Sequence, residues 1–214
     1  ESRGPTTTVH ARAVVLGIPA ATAASALESL TQDAAAALGR FSCTSTVTVS
    51  LGYRSDDLPP LSNSHGYLVP RREGRPSRAM TRTSAKYDGR APAGRELFRL
   101  SLGGAGRDAL HHLSDAELVW IARQELTATL GLDESAEPVL ARVHRWAEVM
   151  PEYSVGHLDR VRQVEHSLRE HPGVVIAGSA FHGLGVPDCV ASGQHAATRI
   201  QSHLVESEAT AAPR

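Results

Sequence analysis

Residues 173–200 read GVVIAGSAFHGLGVPDCVASGQHAATRI: a short apolar run, a glycine-rich loop and the opening of a helix in immediate succession. Val174, Val175 and Ile176 have the uninterrupted apolar character of a strand covered on both faces. Gly178, Gly183 and Gly185 then allow a loop whose backbone comes close to a ligand. Pro187 suits the first helical position, where its missing N–H costs nothing, and Asp188 complements the positive end of the helix. Ala191, Ala196, Ala197 and Ile200 continue a small, apolar helical face. This order points a helix N-terminus at whatever sits on the loop, as at a cofactor edge in an α/β protein.

Upstream of this edge, the spacing predicts a helix over residues 157–169 with Leu158, Val161, Val164 and Leu168 facing inward, and before it a strand over 139–146. Ser114 followed three residues later by Glu117 has capping-box spacing, and starts a helix through Leu118, Ile121, Ala122, Leu126 and Leu130 to a stop at Gly131. Val47, Val49 and Leu51 alternate with Thr46, Thr48 and Ser50, the pattern of a half-buried strand over 44–53. Three further short strands, at 66–69, 78–83 and 96–102, lie between turns rich in Pro, Gly and Arg, so a mostly antiparallel sheet is expected. At the N-terminal end a strand over 9–18 leads into one helix over 20–38, with Ala23, Ala26, Leu27, Leu30, Ala34 and Leu38 on one face. From Glu206 onward the residues are small and polar and read as a frayed tail.

With 214 residues the chain can bury one sizeable core or two modest ones, and its net charge of -1 gives no global pull toward nucleic acid. Two cysteines, Cys43 and Cys189, are too few for a disulfide framework, and a reducing cytoplasm is the default location. Cys189 falls in the first turn of the last helix, where small-residue packing under the loop is the simplest role. No apolar run has transmembrane length, so any membrane association is expected to be peripheral or to lie in a part of the protein outside this chain. The His111-His112 pair, read as strand, points to opposite faces with nothing to complete a coordination sphere, and no metal is expected. Gly103-Gly104-Ala105-Gly106 has phosphate-loop composition, but it leads into a polar stretch rather than opening a long helix.

Ala177-Gly178, Gly183 to Cys189 (GLGVPDC), Ser192-Gly193 and Ala196-Ala197 match nearly letter for letter the C-terminal flavin-binding signature of the protoporphyrinogen and coproporphyrinogen oxidases, which are amine-oxidase-like flavoproteins. RWAEVMPEYSVGHLDRV at 145–161 resembles that family's RWxxxMPQYxVGH segment. VVLGIPA at 14–20 is similar to its VIVTAP strand, and APAG at 91–94 with LFRLSLGGAG is similar to its APEGxxLLRxxVGxAG. The likeness runs over nearly the whole chain. The family's opening Rossmann GxGxxG does not occur here, and the chain begins at Glu1, so the expectation is a C-terminal portion that requires a missing N-terminal FAD-binding half.

The resemblance implies a mixed α/β (α+β) fold: a discontinuous FAD domain combined with an antiparallel substrate-side sheet. On that reading residues 1–37 supply an FAD-domain strand and helix, 38–147 the substrate-side sheet and helix, 148–205 the C-terminal FAD-binding segment and 206–214 a disordered tail. The first strand and the strand at 173–178 are expected in one sheet. FAD is the implied cofactor, with Trp146, Gly178, Leu184, Gly185 and Val186 as its contacts; Trp146 as a core residue is the simpler alternative. Tyr153 and His157 either fix the turn into the following helix or act in the site, and no catalytic residue is assigned.

The implied substrate is a porphyrinogen, with O2 as acceptor and H2O2 as product. Its propionates call for cations, and Arg71, Arg78, Arg82 and Lys86 form a basic stretch, with Arg78, Arg82 and Lys86 the expected contacts. Arg82 and Tyr87 stand where the family often has tryptophan, and Ala85 where it often has lysine. The alternatives are another amine-oxidase-like flavoprotein, or a non-catalytic fragment that binds porphyrin or a partner. The PDC run and the MPEYSVGH segment favour the porphyrinogen branch.

Overall fold

The structure is a computed structural model that describes residues 7–104, 106 and 108–211. In chain order the elements are β1 (Val14–Leu16), α1 (Ala20–Leu27), α2 (Gln32–Leu38), β2 (Cys43–Arg54), β3 (Gly66–Leu68), β4 (Ser77–Arg82), α3 (Thr83–Lys86), β5 (Arg95–Gly103), α4 (Asp115–Leu130), β6 (Leu140–Pro151), α5 (His157–Ser167), β7 (Val174–Ile176) and α6 (Val186–Ala211). They divide into two compact units, one of Glu1–Ser42 with Pro151–Arg214 and one of Cys43–Met150.

In the first unit β1 and β7 pair in parallel, Val14 with Val174 and Leu16 with Ile176, although more than 150 residues lie between the partners. β7 is covered on both sides, as its unbroken apolar run requires. Ile176 joins a core with Ala23, Leu27, Ala34, Leu38, Val161, Val164, Leu168 and Phe181, while Val175 and Ala177 pack with Ala196 of α6. The N-terminal strand is three residues long, not the ten expected, because β7 offers only three partners; Val9 is left 80% exposed.

The single helix expected over 20–38 is two. Thr31 takes an extended conformation and its side chain accepts a hydrogen bond from the Ala34 N–H, capping α2 and ending the first helical run. Leu30 and Ala26 consequently leave the buried face, which keeps Ala23, Leu27, Ala34 and Leu38. Leu158 likewise turns outward on α5, and of the helical face expected on α6 only Ala196 is buried. α6 continues to Ala211, so Glu206–Ala211 is helical rather than frayed; 212–214 lie outside the described residues.

The second unit is a five-stranded sheet in the order β3-β4-β5-β2-β6, with neighbouring strands antiparallel from β3 through β2. Alternation assigns its two faces. Val47, Val49, Leu51, Tyr53, Met80, Phe98, Leu100 and Leu102 point to one side and bury against Leu118, Ala122 and Leu126 of α4. Ser114 and Glu117 form the expected reciprocal capping box, and Gly131, at φ 70°, ends α4 in the left-handed conformation. On the same side Glu125, buried, accepts two hydrogen bonds from Arg75 at 3.2 Å and a third from Ser77. The other face carries Thr48, Ser50, Thr81, Arg99 and Ser101, which the register sets opposite one another.

Candidate cofactor site

The loop between β7 and α6 is shaped by three local constraints. Gly178 has φ 122°, a conformation that side chains resist, and its N–H donates to Ser192 Oγ at 2.9 Å, tying the strand end to α6. Asp188, in the first turn of α6, accepts the Gly185 N–H at 3.1 Å, while the Gly185 carbonyl receives the Cys189 N–H at 3.0 Å. Gly185 thus serves as the helix cap, with Asp188 in the reciprocal acidic position of a capping box. The third constraint is space. A Cβ on Gly183 would lie 2.3 Å from Asp188 Cγ, and one on Gly185 2.9 Å from Asp188 Oδ2. These two glycines therefore make room for a carboxylate of the chain itself, where the sequence suggested room for a ligand.

What faces outward is the tip. Leu184 is 48% and Val186 78% exposed, beside a first helical turn whose Val186 and Asp188 N–H groups have no intrahelical acceptor. The tip suits a flat, partly apolar group carrying electron-rich heteroatoms: apolar side chains to cover it, and N–H donors at the positive end of a helix to meet its negative charge. A flavin fits that description.

Tyr153 and His157 hold the loop from behind. Their rings stack at 4.0 Å between centroids, 15° from parallel. The Tyr153 hydroxyl donates to the Ser179 carbonyl at 2.7 Å, and His157 Nε2 lies 2.9 Å from the Phe181 carbonyl, to which it donates. Burial raises the Tyr153 pKa above that of an ordinary phenol, against a backbone hydrogen bond from Gly183 that lowers it. Phe41 packs edge-on against both His157 and Phe181. These contacts go to the glycine loop and not merely to the turn into α5.

The other expected residues are distributed differently. Trp146, on β6, is half exposed and donates from Nε1 to Thr48 Oγ1 at 3.3 Å, on the sheet face away from α4. It is not a core tryptophan. Arg82 is committed to Glu96 by two hydrogen bonds, 2.9 and 2.5 Å, with both side chains under one-fifth exposed. That pairing holds the Glu96 carboxyl below its usual range and removes Arg82 as a free cation for a substrate. Arg71 lies in an exposed 3₁₀ turn, Arg78 in the irregular part of β4, and Lys86 at the end of α3 with its ammonium 5.4 Å from the Tyr87 ring. The basic stretch is thus dispersed over separate elements.

Sequence reasoning passed over Arg99. It is exposed at the middle of β5, directly opposite Ser50 and Thr81, and has no ion-pair partner among the described residues. The signal was there to read: an arginine between Phe98 and Leu100, two residues that alternation buries. The His111-His112 pair lies in a 3₁₀ turn rather than a strand, with its rings edge to face at 5.9 Å. Ala105 and Arg107, around the Gly103–Gly106 run, lie outside the described residues. Among the described residues no group of three or more His, Cys, Asp or Glu could hold a metal, and no helix is long and apolar enough to cross a membrane.

The chain is 31% identical over 198 residues to a coproporphyrinogen III oxidase of Bacillus subtilis (strain 168), covering 92% of this chain and 41% of the relative. It is 36% identical over 191 residues to the coproporphyrinogen III oxidase of Propionibacterium freudenreichii subsp. freudenreichii, covering 89% of this chain and 35% of the relative. It therefore spans about two fifths of the length of the curated relatives it matches. A crystal structure from Exiguobacterium sp. 255-15, of a protein provisionally named protoporphyrinogen oxidase, superposes with a TM-score of 0.75 at 32% identity over 92% of this chain and 42% of that one. Cyclohexylamine oxidase from Brevibacterium oxydans IH-35A shares the fold, with a TM-score of 0.64 at 18% identity over 94% of this chain and 45% of that one. The family described as flavin containing amine oxidoreductase matches residues 3–201, and the chain belongs to it.

Proposed function

We propose that the protein carrying this chain is an FAD-dependent porphyrinogen oxidase of haem biosynthesis, converting coproporphyrinogen III or protoporphyrinogen IX to the porphyrin with O2 as acceptor and H2O2 as product. The observation that carries this reading is the loop tip, Leu184-Gly185-Val186 at a helix N-terminus, in a chain whose curated relatives are named for these oxidations. When bound, a flavin would supply the redox chemistry, a two-electron oxidation with O2 as final acceptor that would occur three times, releasing three H2O2, for each porphyrin formed.

The protein's part is placement and electrostatics. Leu184 and Val186 would pack on the flavin and exclude water from it, while the first-turn N–H groups of Val186 and Asp188 would favour negative charge there. Gly178 ends β7 in a backbone form that keeps the strand edge beside the loop. On the substrate side, the sheet face away from α4 carries Trp146 and Arg99, with Arg78 and Lys86 as further cations for propionates. Arg82 orients Glu96 and the turn at Ser84 instead of meeting substrate.

The test is turnover by the flavin-loaded, full-length protein: conversion of nonfluorescent porphyrinogen to fluorescent porphyrin with stoichiometric peroxide. A loaded preparation that produces neither would sink the proposal.

A further inference from the structure

We propose that Tyr153 and His157 are positioning residues for the cofactor loop, a stacked pair that fixes the backbone carbonyls at 179 and 181 and so sets how Leu184, Gly185 and Val186 present to the flavin. This rests on reading that loop as a flavin contact. The geometry is specific. Two residues one helical turn apart in sequence reach across 26 and 24 positions to two carbonyls separated by a single residue. Alternate groups of one short loop are thereby fixed to a single rigid surface.

The loop does not do this for itself. Among the described residues its own closing hydrogen bonds, Cys189 N–H to the Gly185 carbonyl and Gly185 N–H to the Asp188 carboxylate, lie beyond the bracketed stretch. Ordering several glycine-containing residues costs conformational entropy that an external bracket must offset. Donation from Nε2 to the Phe181 carbonyl leaves Nδ1 as the acceptor nitrogen of His157. That atom is buried without a hydrogen-bond partner among the described residues. A buried ring that leaves one nitrogen unpaired is being held where the loop carbonyl and the Phe41 and Tyr153 contacts need it, at a cost to its own solvation. The turn that carries the pair is itself secured: Gly156 takes φ 79°, and Arg160 donates to the Val155 carbonyl and to Ser154 Oγ.

The test uses the full-length protein in flavin-free and flavin-loaded forms. Tyr153→Phe keeps the ring stack and removes only the hydroxyl, His157→Leu removes Nε2, and His157→Gln returns a donor nitrogen near the same place. The expected result is amide exchange across residues 179–183 about tenfold faster in flavin-free Tyr153→Phe. Flavin dissociation constants should rise about tenfold in Tyr153→Phe and His157→Leu, with shifted visible flavin bands and most of the retention recovered in His157→Gln. Unchanged retention and spectra in both Tyr153→Phe and His157→Leu would overturn the proposal, as would equal losses in His157→Leu and His157→Gln. None of these readouts needs porphyrinogen, so a failure of turnover alone bears on the function proposed above and not on this assignment.

Discussion

The Asp188 carboxylate occupies the space into which a side chain on Gly183 would have to grow, with Cγ and Oδ2 each 2.3 Å from the position of a Gly183 Cβ. The loop and the first turn of α6 are therefore one interlocked object, and a methyl group at 183 is felt in the helix. Asp188 Cβ is also only 2.6 Å from that position, so swinging the carboxylate aside does not relieve the clash.

Gly183→Ala should destabilise the protein by about 1–3 kcal/mol, the range for overpacking a filled site. Asp188→Ala removes the obstacle together with the acceptor for Gly185. The double variant should then be more stable than the sum of the single effects predicts, by at least about 0.5 kcal/mol, in a denaturant double-mutant cycle. Strict additivity would show that the two positions do not share this space.

Arg82 and Glu96 link stability to acid pH. The Arg82 hydrogen bonds lower the Glu96 pKa from 4.5, with a further contribution from Ser84, so the folded state holds the carboxylate more tightly than the unfolded chain does. The stabilisation is fully present above 4.5 and is lost as pH falls through the lower folded value. Glu96→Gln should cost about 2 kcal/mol at pH 7 and much less at pH 3, measured by urea unfolding at both. An equal cost at the two pH values would exclude the linkage.

Tyr53 gives the opposite dependence. Its hydroxyl is buried with no hydrogen-bond partner among the described residues, and burial pushes its pKa from 10.0 to about 12. The neutral phenol is thus favoured on folding, and stability falls between pH 10 and about 12 as the unfolded chain ionises first. Tyr53→Phe should leave stability at pH 7 unchanged or raise it by up to about 1 kcal/mol, and should flatten the alkaline decline. A loss of more than about 1 kcal/mol would mean that the hydroxyl has a partner in solution.

Arg99 separates substrate binding from folding. Because it is exposed and has no ion-pair partner among the described residues, Arg99→Leu should leave thermal stability within about 0.5 kcal/mol of the parent. If the sheet face meets propionates, KM for porphyrinogen should rise at least about tenfold while flavin retention stays the same. An unaltered KM would remove Arg99 from the substrate side.

Much of this was legible locally. Alternation separated Val47, Val49 and Leu51 from Thr46, Thr48 and Ser50, because a strand's period of two is written directly in the chain. Ser114 with Glu117 marked the start of α4, since both halves of a capping box lie within four residues. The break at Thr31 was missed because the apolar face continues in phase across it. Only the choice of Thr31 as a cap over a continuing helix reveals the division. The length of β1 was illegible for a different reason: a strand is as long as its partner allows, and β7 lies more than 150 residues away.

The sequence by itself determined most of the elements, the alternating faces of the sheet strands and the family, because periodicity, caps and the GLGVPDC string are short-range properties of neighbouring residues. Tertiary structure alone decided what the charged and polar side chains do. It committed Arg82 to Glu96, left Arg99 without an ion-pair partner among the described residues, placed Asp188 in the hollow of Gly183, and brought Tyr153 and His157 to carbonyls more than twenty residues away. Hydrogen bonds and ion pairs act over about 3 Å between particular atoms, and which atoms come that close is settled only when the chain packs.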